Sequence, residues 1–185
     1  MTLIVDVDGV LAELVKPVVA WVNAYYCTSF KRSDIREWNQ PLEGTGTDIG
    51  KVIAELMKDD LFLSALPSIP GARGGMNWLF LKHLITIATA RPDAVGLATA
   101  CWLHRRGFHY DCFAHCEHQR KADLAGDVLV DDNAENCQEF AATGRTAILF
   151  DQPWNRWFIP GDGSKVIRAK GWGDVRRILG YRKGW

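Results

Sequence analysis

Short apolar runs recur along the chain at 3–7, 84–88, 127–130 and 146–150, with a weaker one at 110–114. Runs of this length, bounded by polar or turn-forming residues, read as strands buried on both faces. The segments between them have a helical rhythm. Val95, Ala98 and Trp102 fall on one side of a helix, and so do Ala134, Cys137, Phe140 and Ala141. This alternation predicts an α/β fold, a three-layer Rossmann-like parallel sheet with helices on both faces and right-handed crossovers. A short strand near 166–168 and a helix near 172–179 complete it. Ligands of such sheets bind beyond the C-terminal ends of the strands. The residues just after each apolar run are therefore the first candidates for chemistry.

The stretch 13–70 breaks the alternation. Val15, Val18, Val19 and Val22 form one helical stripe, and Ile49, Val52, Ile53, Leu56 and Met57 form another. Polar, glycine-rich sequence at 39–50 separates them, and Pro67, Pro70 and Gly71 punctuate the return. The pattern predicts a small helical cap over 13–70, inserted after the first strand of a core made from 1–12 and 71–185. A chain of 185 residues is long enough for one domain with such an insert.

Composition narrows the partners. The formal net charge is +0, so no global field recruits nucleic acid or a membrane surface. From Lys165 onward there are seven basic residues and one acid, Asp174, which reads as a solvated helix face or as a phosphate-attracting tail. No run of 18 apolar residues is present, and no basic-then-apolar leader opens the chain. Five cysteines without framework spacing fit reduced thiols. These features predict a cytoplasmic protein with no membrane partner. The eight tryptophans are many for this length, and some are candidates to face a ligand.

Four places could carry chemistry. The first apolar run ends in Asp6-Val7-Asp8-Gly9. Two carboxylates that close repel unless a cation or proton lies between them, and hard oxygen ligands favour magnesium. Read alone, the same residues also make a surface turn. The second place is Thr89-Ala90-Arg91-Pro92, where a hydroxyl and a backbone amide at a strand tip can donate to a phosphoryl oxygen. The third is Lys121, ordinarily a solvent-exposed type. The fourth is Asp131-Asp132-Asn133, again paired carboxylates after an apolar run, where Asp132 or Asn133 could cap the next helix.

In order, Asp-x-Asp-Gly, strand-end Thr, Lys, then strand-end Asp-Asp resemble the four motifs of the haloacid dehalogenase superfamily of phosphohydrolases. The finer resemblance is to the 5'(3')-deoxyribonucleotidase family. It rests on Asp6–Ala12, on the return Asp60-Leu61-Phe62-Leu63-Ser64-Ala65-Leu66-Pro67-Ser68-Ile69-Pro70-Gly71-Ala72, and on Phe150-Asp151-Gln152-Pro153-Trp154-Asn155. The chain departs from the animal enzymes at Ala90-Arg91-Pro92, where they carry Ser-Pro after the threonine, and at Ser68, which replaces a proline.

The resemblance implies a magnesium-dependent phosphomonoester hydrolase acting on deoxynucleoside monophosphates through an aspartyl-phosphate. Asp6 would be the nucleophile and Asp8 the acid–base. Thr89, Ala90 and Lys121 would surround the phosphate, and Arg91 would contact it or brace the loop. Mg2+ would sit on the Asp6 carboxylate, the Asp8 backbone carbonyl and Asp131, with Asp132 supporting them from outside. Trp38, Phe62 and Trp154 are candidates to stack on a base. The competing readings are a phosphatase for another small phosphoester or a polynucleotide 3'-phosphate, and a non-catalytic binding module. The expected partner is a small phosphoester, with no stable nucleic-acid partner and a homodimer left open. Cys101, His104, His109, Cys112, His115, Cys116 and His118 match no standard zinc spacing, so no zinc is expected there.

Overall fold

The structure is a computed structural model that describes residues 1–116 and 120–180. Strand β1 (Thr2–Val5) is followed by a helical excursion: α1 (Val15–Tyr26), a two-stranded hairpin of β2 (Pro41–Leu42) and β3 (Thr47–Asp48), α2 (Ile49–Leu56) and α3 (Asp60–Ala65). The chain then runs through α4 (Ala72–Phe80), β4 (Leu84–Thr89), α5 (Gly96–Arg105), β5 (Cys112–His115), β6 (Val128–Asp131), α6 (Ala134–Ala142), β7 (Thr146–Phe150), β8 (Val166–Ala169) and α7 (Trp172–Gly180). Six strands form one parallel sheet in the order β5-β4-β1-β6-β7-β8. This is the doubly wound order, in which the strand sequence reverses beside β1.

Alternation of side chains across the sheet makes two cores. Leu3, Val5, Ile85, Ile87, Val128 and Val130 face α4, α5 and α7, meeting Met76, Leu79, Trp102, Leu103 and Val175. Ile4, Leu129, Ala147 and Leu149 face α6 through Cys137 and Phe140. Because both faces are covered, the strands are apolar throughout, which is why their sequences read as continuous runs.

The differences from the sequence expectation are local. The first strand ends at Val5 rather than 7, because Leu11 and Ala12 both donate their N–H to the Val7 carbonyl and close a turn. The weak run expected at 110–114 becomes a strand at Cys112–His115. The polar stretch 39–50 contains the β2–β3 hairpin. Helix α4, which contains the Gly74-Gly75 pair, is not among the elements predicted from the sequence. The excursion leaves and returns at one place. Glu13 N–H donates to Pro67 O at 2.9 Å and Ile69 N–H to Leu11 O at 2.8 Å, so its two ends are tied side by side.

Candidate active site

Parallel register brings three strand ends to one level. Val5 of β1 lies beside Ile87 of β4 and Val130 of β6. The next residues outward are Asp6, whose N–H donates to Val130 O at 3.0 Å, and Asp131. Thr89 ends β4 and is buried. Lys121 comes in from a 3-10 turn over Lys121–Asp123 and is itself buried. Its Nζ donates to Asp6 Oδ1 at 2.6 Å and to Asp131 Oδ2 at 2.8 Å. It is thus the cation between two buried carboxylates rather than a solvated lysine.

Asp131 is held further by Asn133 N–H on Oδ1 at 2.8 Å and by Asn136 Nδ2 on Oδ2 at 3.0 Å. Asn133 caps α6 by accepting from the Glu135 and Asn136 amides. Carboxylate oxygens of Asp6, Asp131 and Asp132 lie within 4.8 Å of one another. Asp132 therefore belongs to the cluster itself, not only to its surroundings. The Asp8 carboxylate takes a different partner, the Arg91 guanidinium, at 2.6 and 2.8 Å.

Burial shifts these groups. It pushes the Asp6 carboxyl up to about 7, with Lys121 pulling the other way and Asp131 and Asp8 adding to the rise. Burial, then the charges of Asp6 and Asp131, hold Asp132 well above the usual carboxylate range. Burial alone would lower the Lys121 ammonium, but Asp131 and Asp6 outweigh it and raise it. Three buried carboxyl groups share one ammonium, so burial favours their protonated forms unless a further cation joins a centre built only of oxygen donors. That donor set fits a hard divalent cation held by Asp6, Asp131 and Asp132.

The carboxylates open into a cavity of about 900 Å³. Thr89, Ala90 and Arg91 line it with Asp6, Asp8 and Lys121, and Trp38, Ile53, Ala54, Met57, Lys58 and Asp60 from the helical excursion line it as well. Of the three aromatic candidates, Trp38 lines this cavity. Phe62 is a correction: it does not line the cavity, and its half-buried ring packs against the main core, because α3 lies against α5. Trp154 lies beside the cavity. It is buried, lines a smaller neighbouring hollow with Trp38, and donates Nε1–H to Asp132 Oδ2 at 2.8 Å.

The segment Gln152–Asn155 proves to be a clamp. Asn155 Nδ2 donates to Asp132 O at 2.7 Å and Phe150 O at 2.8 Å, and Gln152 Nε2 donates to Gly9 O. Gly9 has φ +75° and a Cβ there would lie 2.0 Å from Asp132 Oδ2, so only glycine lets this turn approach the carboxylate. The signal for this role was in the sequence, in three hydrogen-bonding side chains directly after an apolar strand.

The Cys/His-rich segment is dispersed. Cys101 and Cys112 are exposed, Cys116 is buried, and His115 Nδ1 faces Asp93 at 3.1 Å. His118 lies outside the described residues, as do Arg182 and Lys183 of the basic C-terminal region.

The family of 5' nucleotidase, deoxy (pyrimidine), cytosolic type C proteins matches residues 1–183. The chain belongs to this family. Membership in a nucleotidase family makes the reaction class phosphoric monoester hydrolysis. Among curated relatives of the nucleotidase chain, the 5'(3')-deoxyribonucleotidases of Bacillus subtilis (strain 168) and of Bacillus phage SPbeta are each 28% identical over 184 residues, covering 95% of this chain and 96% of theirs. Solved structures share its fold at lower identity. A haloacid dehalogenase-like hydrolase from Streptococcus pneumoniae superposes with a TM-score of 0.64 at 13% identity, covering 97% of each chain. A related hydrolase from Bacillus subtilis bound to magnesium gives 0.63 at 12%, covering 96% of this chain and 97% of that one. No helix among the described residues is long and apolar enough to cross a membrane.

Proposed function

We propose that this nucleotidase dephosphorylates deoxynucleoside monophosphates, with Mg2+ at the carboxylate cluster and Asp6 as the nucleophile. The observation that carries this reading is the buried Asp6–Lys121–Asp131 group in a cavity that Trp38, Ile53 and Met57 of the helical excursion also line, beside Lys58 and Asp60. An anionic phosphate would enter toward that group, and an aromatic base would leave water against Trp38, Ile53 and Met57. Residues 13–70 serve as the cap that supplies those side chains.

Lys121 fixes the Asp6 carboxylate and bears part of the charge of an incoming phosphoryl group. The Thr89 hydroxyl and the Ala90 amide, both at the cavity, supply further donors. Asp6 attacks phosphorus, and the ester oxygen leaves with a proton from Asp8; Asp8 then takes a proton from the water that frees Asp6. A bound Mg2+ would neutralise charge on the carboxylates and the phosphoryl oxygens. The magnesium-bound state of one structural relative and the deoxyribonucleotide named for the curated relatives support the same reading.

The test is phosphate release from a panel of deoxynucleotides, ribonucleotides and sugar phosphates. Turnover should vanish in EDTA, return with Mg2+, and be absent in Asp6→Asn. Equal hydrolysis of glucose phosphate and of deoxynucleotides would sink the nucleotidase reading, and full turnover in EDTA would sink the role given to the metal.

A further inference from the structure

Arg91 stands where the sequence suggested a phosphate ligand or a loop brace, but the residue is 3% exposed and its guanidinium is committed to protein partners. Nε donates to Asp8 Oδ2 at 2.8 Å and Nη2 to Asp8 Oδ1 at 2.6 Å, a two-point fork. Nη1 donates to Thr99 Oγ1 at 3.0 Å, and the Thr99 hydroxyl donates in turn to Val95 O at 2.9 Å. The Arg91 amide donates to Thr89 Oγ1 at 3.2 Å. The side chain is thus anchored to α5 at one end and grips Asp8 at the other.

Asp8 needs such a grip. It sits in the turn after β1, not on a regular element, and its side chain is 16% exposed to the cavity. Among the described residues, Arg91 alone donates to its carboxylate. A carboxylate torsion is broad, so without the fork the proton-carrying oxygen would sample many directions. Misplacing an acid by an ångström costs orders of magnitude in rate. The fork uses one lone pair on each oxygen and leaves the other for the transferred proton. Swinging Arg91 onto a phosphate would instead strip Asp8 and Thr99 of their donor and leave a buried charge to be re-paired.

We propose that Arg91 is a positioning residue that acts through Asp8, aiming it at the leaving-group oxygen, rather than a ligand of the phosphate. The inference rests on the hydrolase reading above. In the first step Asp6 forms a bond to phosphorus, the ester P–O bond breaks, and the Asp8 proton passes to the departing oxygen. In the second, water attacks phosphorus, its proton goes to Asp8, and the Asp6–phosphorus bond breaks to give inorganic phosphate.

The two roles separate by leaving group. A nucleoside alkoxide needs the proton, whereas p-nitrophenolate leaves without it. Single-turnover phosphorylation of the Mg2+-loaded protein is measured with a deoxynucleoside monophosphate and with p-nitrophenyl phosphate. For Arg91→Met the expected loss is roughly 10²–10³-fold with the nucleotide, within the range of general acid catalysis, and under about tenfold with the aryl ester, by the same reasoning. Inhibition by inorganic phosphate stays unchanged, and Arg91→Lys recovers part of the nucleotide rate. In an Asp8→Asn background Arg91→Met adds little. Thermal melts check folding, and Arg91→Lys carries the same comparison should the methionine variant unfold. Equal losses on both esters with weaker phosphate inhibition would make Arg91 a phosphate ligand and overturn the proposal. So would additive losses in the Asp8→Asn background. A wild-type protein inert toward every phosphoester removes the hydrolase reading and this inference together.

Discussion

At the scale of single residues, the site keeps Asp6, the proposed nucleophile, under electrostatic tension. Burial raises the Asp6 carboxyl to about 7, and only Lys121 offsets it. A carboxyl whose pKa is higher folded than unfolded binds more protons in the native state between those two values. The stability tied to it is present below about 4 and lost as pH rises through about 7. The metal-free protein should therefore lose stability through that interval, and Asp6→Asn should flatten the loss, as urea midpoints across pH 4 to 8 would register. A cation needs the ionised form, so Mg2+ affinity measured by calorimetry should weaken as pH falls below about 7. Lys121→Ala removes the cation shared by Asp6 and Asp131. The expected cost is roughly 10²–10³ in kcat, as for loss of a charge-stabilising donor. Thermal stability of the metal-free protein should also fall, because two buried carboxylates lose their partner. Near-normal turnover in Lys121→Ala would contradict this role.

At the scale of elements, strand ends and one unexpected helix carry the lesson. Each carboxylate is where its apolar run promised, because a parallel strand covered on both faces must be apolar until it emerges. Helix α4 carries two adjacent glycines, Gly74 and Gly75, which are poor helix formers, yet they have different reasons to be there. A Cβ on Gly75 would lie 2.3 Å from Trp172 Cε3, so this glycine lets α7 pack against α4. A Cβ on Gly74 meets nothing within 4 Å. Replacing glycine by alanine gains up to about 1 kcal/mol of helix propensity, while overpacking costs about 1–3 kcal/mol. Gly74→Ala should raise the melting temperature by a few degrees and Gly75→Ala should lower it. Calorimetry of the two variants checks the pair, and a stabilised Gly75→Ala would show that Trp172 moves aside freely.

At the scale of the whole molecule, the helical excursion and the core meet around Trp154. The Trp38 ring lies 5.1 Å from it, the Arg32 guanidinium 5.3 Å above it, and Arg32 also donates to Gln152. Trp38 thus touches both the cavity and the clamp that holds Asp132. Trp38→Ala should lower kcat/KM for deoxynucleotides by about tenfold or more, the range of one lost stacking contact, while sparing p-nitrophenyl phosphate; equal losses on both substrates would contradict a base-binding role. The sequence by itself determined the layered fold, the strand-end placement of Asp6, Thr89 and Asp131, and the glycine at position 9. These follow from local rules: periodicity, burial on two faces and turn geometry act over a few residues. Only the tertiary structure decided which side chains meet. It set Lys121 between Asp6 and Asp131, gave Asp8 to Arg91, brought Asp132 into the carboxylate cluster under Trp154, and turned Phe62 away from the cavity. The hydrogen bonds among these join residues from 10 to 115 positions apart, and packing of the finished layers, not any local pattern, brings them within reach.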